Sequence, residues 1–146
     1  MLLSENRKAN FDYQILETFE AGLVLTGPEV KSARAGQIDL KGSYVTINAN
    51  CEATLEKSYI AAYKPARTAQ KSYDPNRSRK LLLTKKELNY LLGKQNEKTV
   101  SIIPLSVHLA HNLIKIKIAI ARGKKKFDKR ESIKKREFER KKRQVM

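Results

Sequence analysis

Residues 114–120 alternate without a break: Ile114, Ile116, Ile118 and Ile120 fall on one side, and Lys115, Lys117 and Ala119 on the other. Successive side chains leave a strand on opposite faces, so a period of two with a β-branched residue at every second position marks a half-buried strand. A chain holding this segment must build a sheet that covers the isoleucine side and leaves the lysine side to water or to a partner. The alternation stops at Ala121-Arg122-Gly123. Residues 124–146 then carry twelve Lys or Arg against four carboxylates and almost nothing to bury. The expected organisation is one folded body, residues 1–123, closed by this strand and followed by a basic tail, residues 124–146.

The 146 residues carry a net charge of +16, and the tail supplies half of it. That far exceeds the ~2–8 that keeps a small domain soluble. A polyanionic partner is the better explanation, because Lys and Arg gain affinity by displacing counterions condensed on phosphates. The single cysteine, Cys51, excludes an intramolecular disulfide and a cysteine-based zinc cluster. The N-terminal MLLSENRKANFDY lacks the apolar core of a signal peptide, and no run reaches the ~18–20 apolar residues of a membrane span. A cytoplasmic protein with no membrane partner is expected.

In chain order, residues 1–10 read as polar and mobile. Residues 12–25 read as a long strand bent at Gly22, since an internal glycine often marks a bulge. Gly27-Pro28-Glu29-Val30 begins a short helix with Pro28 at its first position, and Gly36 stops it. Residues 43–49 and 52–57 form a hairpin with Val45, Ile47, Ala49, Ala53 and Leu55 inward, and residues 59–63 could extend the sheet. Residues 64–79 have prolines, five basic residues and no period, and read as a long exposed loop. Thr84-Lys85-Lys86-Glu87 is a capping box with Leu83 and Leu88 as its hydrophobic staple, starting a helix that Gly93 ends. Residues 99–109 form a strand with Ser101, Ile103, Leu105 and Val107 on one face, and His111-Asn112 turns into the closing strand. The expected fold class is mainly β: a small antiparallel OB-type β-barrel with two or three short helices. A two-layer α+β sandwich is the competitor.

No catalytic residues, metal ligands or cofactor site are expected. His108 and His111, three apart on a strand reaching a turn, fall on opposite faces, and no phosphate-binding loop, dinucleotide turn or His-Glu-x-x-His pattern occurs. Interaction chemistry is better represented. Lys115 and Lys117 share a strand face along which a nucleic-acid backbone could lie. Arg77, Arg79 and Lys80 precede Leu81-Leu82-Leu83, where Leu82 either stands exposed to stack under a base or completes a core layer through a bulge. Glu20 is either an acceptor for base amino or imino groups or an ordinary surface charge. In the tail, Asp128-Lys129-Arg130-Glu131 has capping-box spacing, and Glu131–Lys135, Glu137–Lys141 and Glu139–Arg143 are favourable i,i+4 pairs. With no apolar stripe to dock it, that helix is expected to be disordered in the free protein and to form in a polyanionic groove.

Five stretches together resemble the bacterial SsrA-binding protein (small protein B) family: NRKANFDY (6–13), FEAGLVLTGPEVKSARAG (19–36), GSYV (42–45), DPNRSRKLLL (74–83) and ARGKKKFDKRE (121–131). The resemblance implies an OB-type barrel that binds the tRNA-like domain of transfer-messenger RNA and brings that RNA to stalled ribosomes in trans-translation, without chemistry of its own. By the same resemblance, Asn6, Glu20, Leu82 and Lys115 match positions that meet the tRNA-like domain; Arg79, Lys80 and Lys117 join them as RNA-binding candidates. Gly123 matches a pivot between body and tail. Phe127, Asp128, Lys129 and Arg130, with Lys124 ahead of them, match the tail that enters the decoding centre and mRNA channel. A monomer in 1:1 complex with the RNA is expected. The chain departs from the family at Asn112 and Thr99, where glycines are usual, and in the loosely similar residues 64–73. A ribosomal structural protein and an RNA-processing enzyme are the other two readings, the latter disfavoured for want of an acid, base or metal ligand.

Overall fold

The computed structural model describes residues 1–63 and 73–123 of the chain. The alternating segment lies in β9 (Leu113–Gly123), with β8 (Val100–Ala110) on one side and β2 (Tyr13–Leu23) on the other. Ile114, Ile116, Ile118 and Ile120 are all buried, as their period demands. Beyond these three long strands the sheet continues on both sides. β1 (Leu2–Glu5) pairs with β8, and β7 (Arg79–Leu82), β5 (Ala53–Glu56) and β4 (Tyr44–Ile47) follow β2, giving the order β1-β8-β9-β2-β7-β5-β4. A second small sheet joins β3 (Ile38–Asp39) to β6 (Tyr59–Ile60). Every ladder among the described residues is antiparallel.

The sheet curls until β4 packs against β8 and β1 against β3, enclosing one apolar core that includes Leu23, Val45, Leu55, Leu81, Val107 and Ile116. The mainly β class expected from the sequence is therefore what the chain adopts. Curling comes without a closed ring of ladders: among the described residues no ladder joins β4 to β1. Register shifts between Ile15 and Glu17 in β2 and between Pro104 and Ser106 in β8 supply local twist. The second shift also breaks the simple alternation read for residues 99–109. Val100, Ile102 and Val107 enter the main core, whereas Ile103 faces a second cluster with Ala9 and Ala121.

Two of the three helices have a local cause. α2 (Gly27–Arg34) begins on a full capping box: Thr26 accepts from the Glu29 amide and the Glu29 carboxylate accepts from the Thr26 amide, with Pro28 in the first turn. Gly36, at φ +79°, ends it in the left-handed conformation that suits glycine. α3 (Lys85–Gln95) begins on the expected Thr84/Glu87 box. It does not end at Gly93 but continues to Gln95, whose side-chain amide binds the Ile47 backbone twice, accepting from its N–H at 2.7 Å and donating to its C=O at 2.8 Å. That clamp occupies backbone groups on the edge strand β4 and draws the helix past the glycine. α1 (Arg7–Asp12) lies in the stretch read as mobile, and β1 precedes it; Ala9 of α1 covers Ile103 and Ala121. Residues 59–63 extend no large sheet, because Tyr59 and Ile60 pair with β3 instead. Ala49 is exposed rather than inward, since the Asn48 side chain already turns the chain there by accepting from the amides of Asn50 and Glu52.

The cap on α3 yields a direct test. Thr84→Ala removes the hydroxyl that accepts from the Glu87 amide, leaving only the half in which the residue 84 amide donates to the Glu87 carboxylate. It is expected to lower unfolding stability by about 1 kcal/mol, read as a drop in the urea midpoint with an unchanged slope.

Candidate nucleic-acid interface

The register of the central strands sets the geometry of the outer face. Leu82 of β7 pairs with Gly22 of β2, Gly22 with Lys115 of β9, and Lys115 with His108 of β8. These four positions form one row across four strands, roughly 14 Å wide at ~4.8 Å per strand. A second row runs beside it, with Glu20 paired to Lys117 and Lys117 to Ser106. Lys115 and Lys117 alternate with the buried isoleucines of β9 and so emerge on this side. Four of the residues singled out in the sequence, Glu20, Leu82, Lys115 and Lys117, are thus brought together on a single surface.

Gly22 is what makes the surface flat at its centre. It sits in regular pairing rather than at a bend, and a Cβ built there would lie 3.3 Å from the Leu82 Cβ. The missing side chain lets Leu82 lie across the neighbouring strand, where it remains 56% exposed. Of the two readings open for Leu82, the exposed one holds, because β7 alternates cleanly: Arg79 and Leu81 point inward, Lys80 and Leu82 outward.

Arg79 requires a correction. As a candidate RNA contact it would have to be exposed, yet its side chain is fully buried. Its Nε donates to Glu29 Oε2 at 2.8 Å, Nη1 to the Ser58 carbonyl and hydroxyl, and Nη2 to the Tyr73 hydroxyl and the Pro75 carbonyl. Glu29 is equally buried and also pairs with Arg77. Burial alone would push the Glu29 carboxyl up; the hydrogen bond from Arg77, the Thr26 amide and Arg79 outweigh it and hold the group at about 2, below the ordinary 4.5. Residues 73–79 are consequently tied to α2 rather than forming part of an exposed loop. Asn6 is also interior, 8% exposed, and its amide nitrogen donates to the carbonyls of Pro104 at 3.0 Å and Leu40 at 3.5 Å. It lines a cleft of about 660 Å³ with Lys8, Tyr13, Lys41 and Tyr44, among others, rather than standing on the outer face.

Sequence reasoning missed His108. Its Nε2 lies 3.9 Å from Glu20 Oε2, on the same face as Lys115. The available signal was parity: His108 shares a face with residues two and four apart only if the register shift beyond Pro104 is known. His111, by contrast, sits with Asn112 in a two-residue hairpin turn, both at positive φ. Gly123 still pairs with Tyr13 at the end of β9. Lys124, Phe127, Asp128, Lys129 and Arg130 lie outside the described residues, as does the segment 64–72. Among the described residues no group of His, Cys, Asp or Glu could hold a metal ion, and no helix is long and apolar enough to cross a membrane.

A curled antiparallel sheet with an exposed leucine, three lysines and the carboxylates Glu20 and Glu5 on one face defines a class: a β-domain whose surface suits a polyanion carrying hydrogen-bond donors. Comparison with known proteins gives the particular family. The family model described as SmpB protein matches residues 3–146, and the chain belongs to that family. An SsrA-binding protein of Persephonella marina is 49% identical over 95% of this chain and 90% of its own length. One from Leuconostoc mesenteroides is 50% identical over 94% of this chain and 88% of its own. A chain in a solved structure described as "tmRNA-SmpB: a journey to the center of the bacterial ribosome" superposes with a TM-score of 0.68 at 46% identity, covering 84% of this chain and 85% of that one.

Two variants separate scaffold from surface. Arg79→Ala leaves a buried carboxylate with one partner fewer and is expected to cost roughly 3–5 kcal/mol of stability, whereas Lys80→Ala should stay within about 0.5 kcal/mol of the parent. Equal losses in denaturant titrations would contradict the division. The sign of the pH effect also follows. Because the Glu29 carboxyl is held down at about 2, the stability it contributes is complete above about 4.5 and disappears as the pH falls from there toward 2. Glu29→Gln should show a shallower acid limb in the same range.

Proposed function

We infer that this chain is an RNA-binding adaptor of trans-translation. It binds transfer-messenger RNA through the tRNA-like domain and delivers it to stalled ribosomes, so that the nascent peptide is tagged for degradation and the ribosome is rescued. The observation that carries this reading is the family match over residues 3–146, which takes in the basic tail as well as the body. The finer assignments are ours. Residues 1–123 act as the RNA-binding body and residues 124–146 as the ribosome-probing tail, with Gly123 as the pivot. The protein works in the cytoplasm as a monomer, one per RNA, and performs no covalent chemistry.

On the outer face, Lys115, Lys117 and Lys80 neutralise phosphates, Leu82 offers an apolar plate to a base or ribose, and Glu20 accepts from base amino or imino groups. A carboxylate repels a bare phosphate backbone, so Glu20 favours an RNA whose fold presents base edges beside its phosphates. Asn6 and Arg79 serve the face from behind, holding α1 and β7 in place. In the tail, Lys124 adds phosphate affinity. Phe127 supplies a stacking group, and Asp128, Lys129 and Arg130 start a helix in the decoding centre and empty mRNA channel.

Competition binding among transfer-messenger RNA, bulk tRNA and ribosomal RNA fragments at a fixed ~0.15 M salt tests the adaptor reading, because salt sets the non-specific component. Preference for the first RNA is expected; equal affinity for all three would point to a general ribosomal RNA binder. Lys117→Ala should reduce the slope of log affinity against log salt by about one phosphate contact. Replacing Asp128, Lys129 and Arg130 together should leave RNA affinity nearly intact while abolishing tagging in a reconstituted stalled-ribosome assay.

A further inference from the structure

We propose that His108 is a further residue of the RNA-binding face, and that RNA binding is accompanied by uptake of one proton from solvent onto its imidazole. The proposal rests on the functional reading above, in that it takes the outer face of β2, β7, β8 and β9 to be where RNA lies.

His108 is built into that face by register. Its direct partner on β9 is Lys115, and on β1 it pairs with Leu2. Its Nε2 lies 3.9 Å from Glu20 Oε2, too far for a hydrogen bond and within ion-pair distance once the ring is protonated. The side chain is 28% exposed, so an RNA laid on the face would exclude much of its remaining water. Every charged group around it can be named. Glu20 lies on β2 with its carboxylate nearest the ring, and Lys115 and Lys117 lie on β9. On β1, Leu2 pairs with His108 and Glu5 pairs with Ser106, two residues away on the same face, so Glu5 is a second carboxylate near the ring. The Met1 amine at that end donates to the Leu109 carbonyl at 3.0 Å.

An arriving phosphate backbone changes the charge around the ring in one direction. It neutralises the two lysines and brings further negative charge to the ring. An opposite charge within ~4–6 Å favours the charged form of a titrating group. Imidazole is also the side chain whose charge changes between about pH 5 and 8. Binding therefore favours the protonated ring, and by linkage affinity must rise as pH falls through that range. Glu20 gains as well. A cationic neighbour lowers the cost of holding a carboxylate among phosphates, which eases an unfavourable charge on the face.

The chain contains two histidines, so the experiment can assign the effect. The affinity of the full chain for the isolated tRNA-like domain is measured from pH 8.0 to pH 6.0 at constant ionic strength, for the parent, His108→Gln and His111→Gln. One linked proton permits at most about a tenfold change per pH unit, so an overall tightening of about three- to tenfold is expected for the parent. His111→Gln should keep that tightening and His108→Gln should lose it. A flat profile in the parent, or an undiminished one in His108→Gln, overturns the proposal. Should His108→Gln fold poorly, the imidazole proton resonances of the parent decide. The His108 titration midpoint must move upward on adding RNA while that of His111 stays; an unmoved His108 midpoint refutes the idea. Running bulk tRNA in parallel separates the two levels. Loss of RNA preference would remove the adaptor reading, whereas the pH slope on whichever RNA binds still judges His108.

Discussion

The buried contact between Glu29 and Arg79 is the constraint on which the placement of β7 and the outer face beside it depends. α2 and β7 are far apart in sequence and share no ladder, so nothing in local propensity places one against the other. A fully desolvated carboxylate and guanidinium do so, because each is costly inside the protein unless the other is held at hydrogen-bond distance. The guanidinium then spends its remaining donors on Ser58, Tyr73 and Pro75. A planar, five-donor group is suited to this in a way a lysine is not. One side chain thereby fixes β7 relative to α2, β6 and the segment entering β7, and sets where Leu82 and Lys80 emerge.

The same logic explains how a strongly basic chain can bury one charge while exposing its neighbour. Basic residues in this chain fall into two populations by strand parity. Those that alternate with core positions on β7 and β9 face out, while Arg79, in a core position, faces in. Their proximity in sequence is misleading: Arg79 and Lys80 are adjacent and perform opposite tasks. Gly22 works in a related way. Its contribution is not flexibility but the absence of an atom, which lets a leucine from the next strand cover it.

Much of this was legible in the sequence wherever one pattern governed one element. The isoleucine period of β9, the Thr84/Glu87 cap and the left-handed turn before β9 all read directly, because each is a local rule with a local cause. The face formed by Glu20, Leu82, Lys115 and Lys117 was partly legible, since alternation assigns sides but not which strands are neighbours. What could not be read was set by contacts distant in sequence. Arg79 looked like its exposed neighbours until Glu29 of α2 was placed beside it. α1 and β1 carried no strong period and take their order from β8. His108 was hidden by the register shift beyond Pro104, which inverts the parity that residues 99–103 suggest. The Gln95 clamp gave no sequence signal, because only the fold shows that the edge of β4 lies next to it.

β9 carries both Lys115 and Lys117 of the outer face and, at its far end, Gly123, paired with Tyr13. Eight residue steps of regular strand separate Lys115 from Gly123, about 26 Å at ~3.3 Å per residue. The strand is held on both sides by ladders along most of that length. It therefore behaves as a rigid ruler. The distance between the Lys115 row and Gly123, the root of residues 124–146, is a counted number of residues, not the average of a flexible linker. Gaining or losing a single residue along it would shift the root by one rise and turn every following side chain to the wrong face.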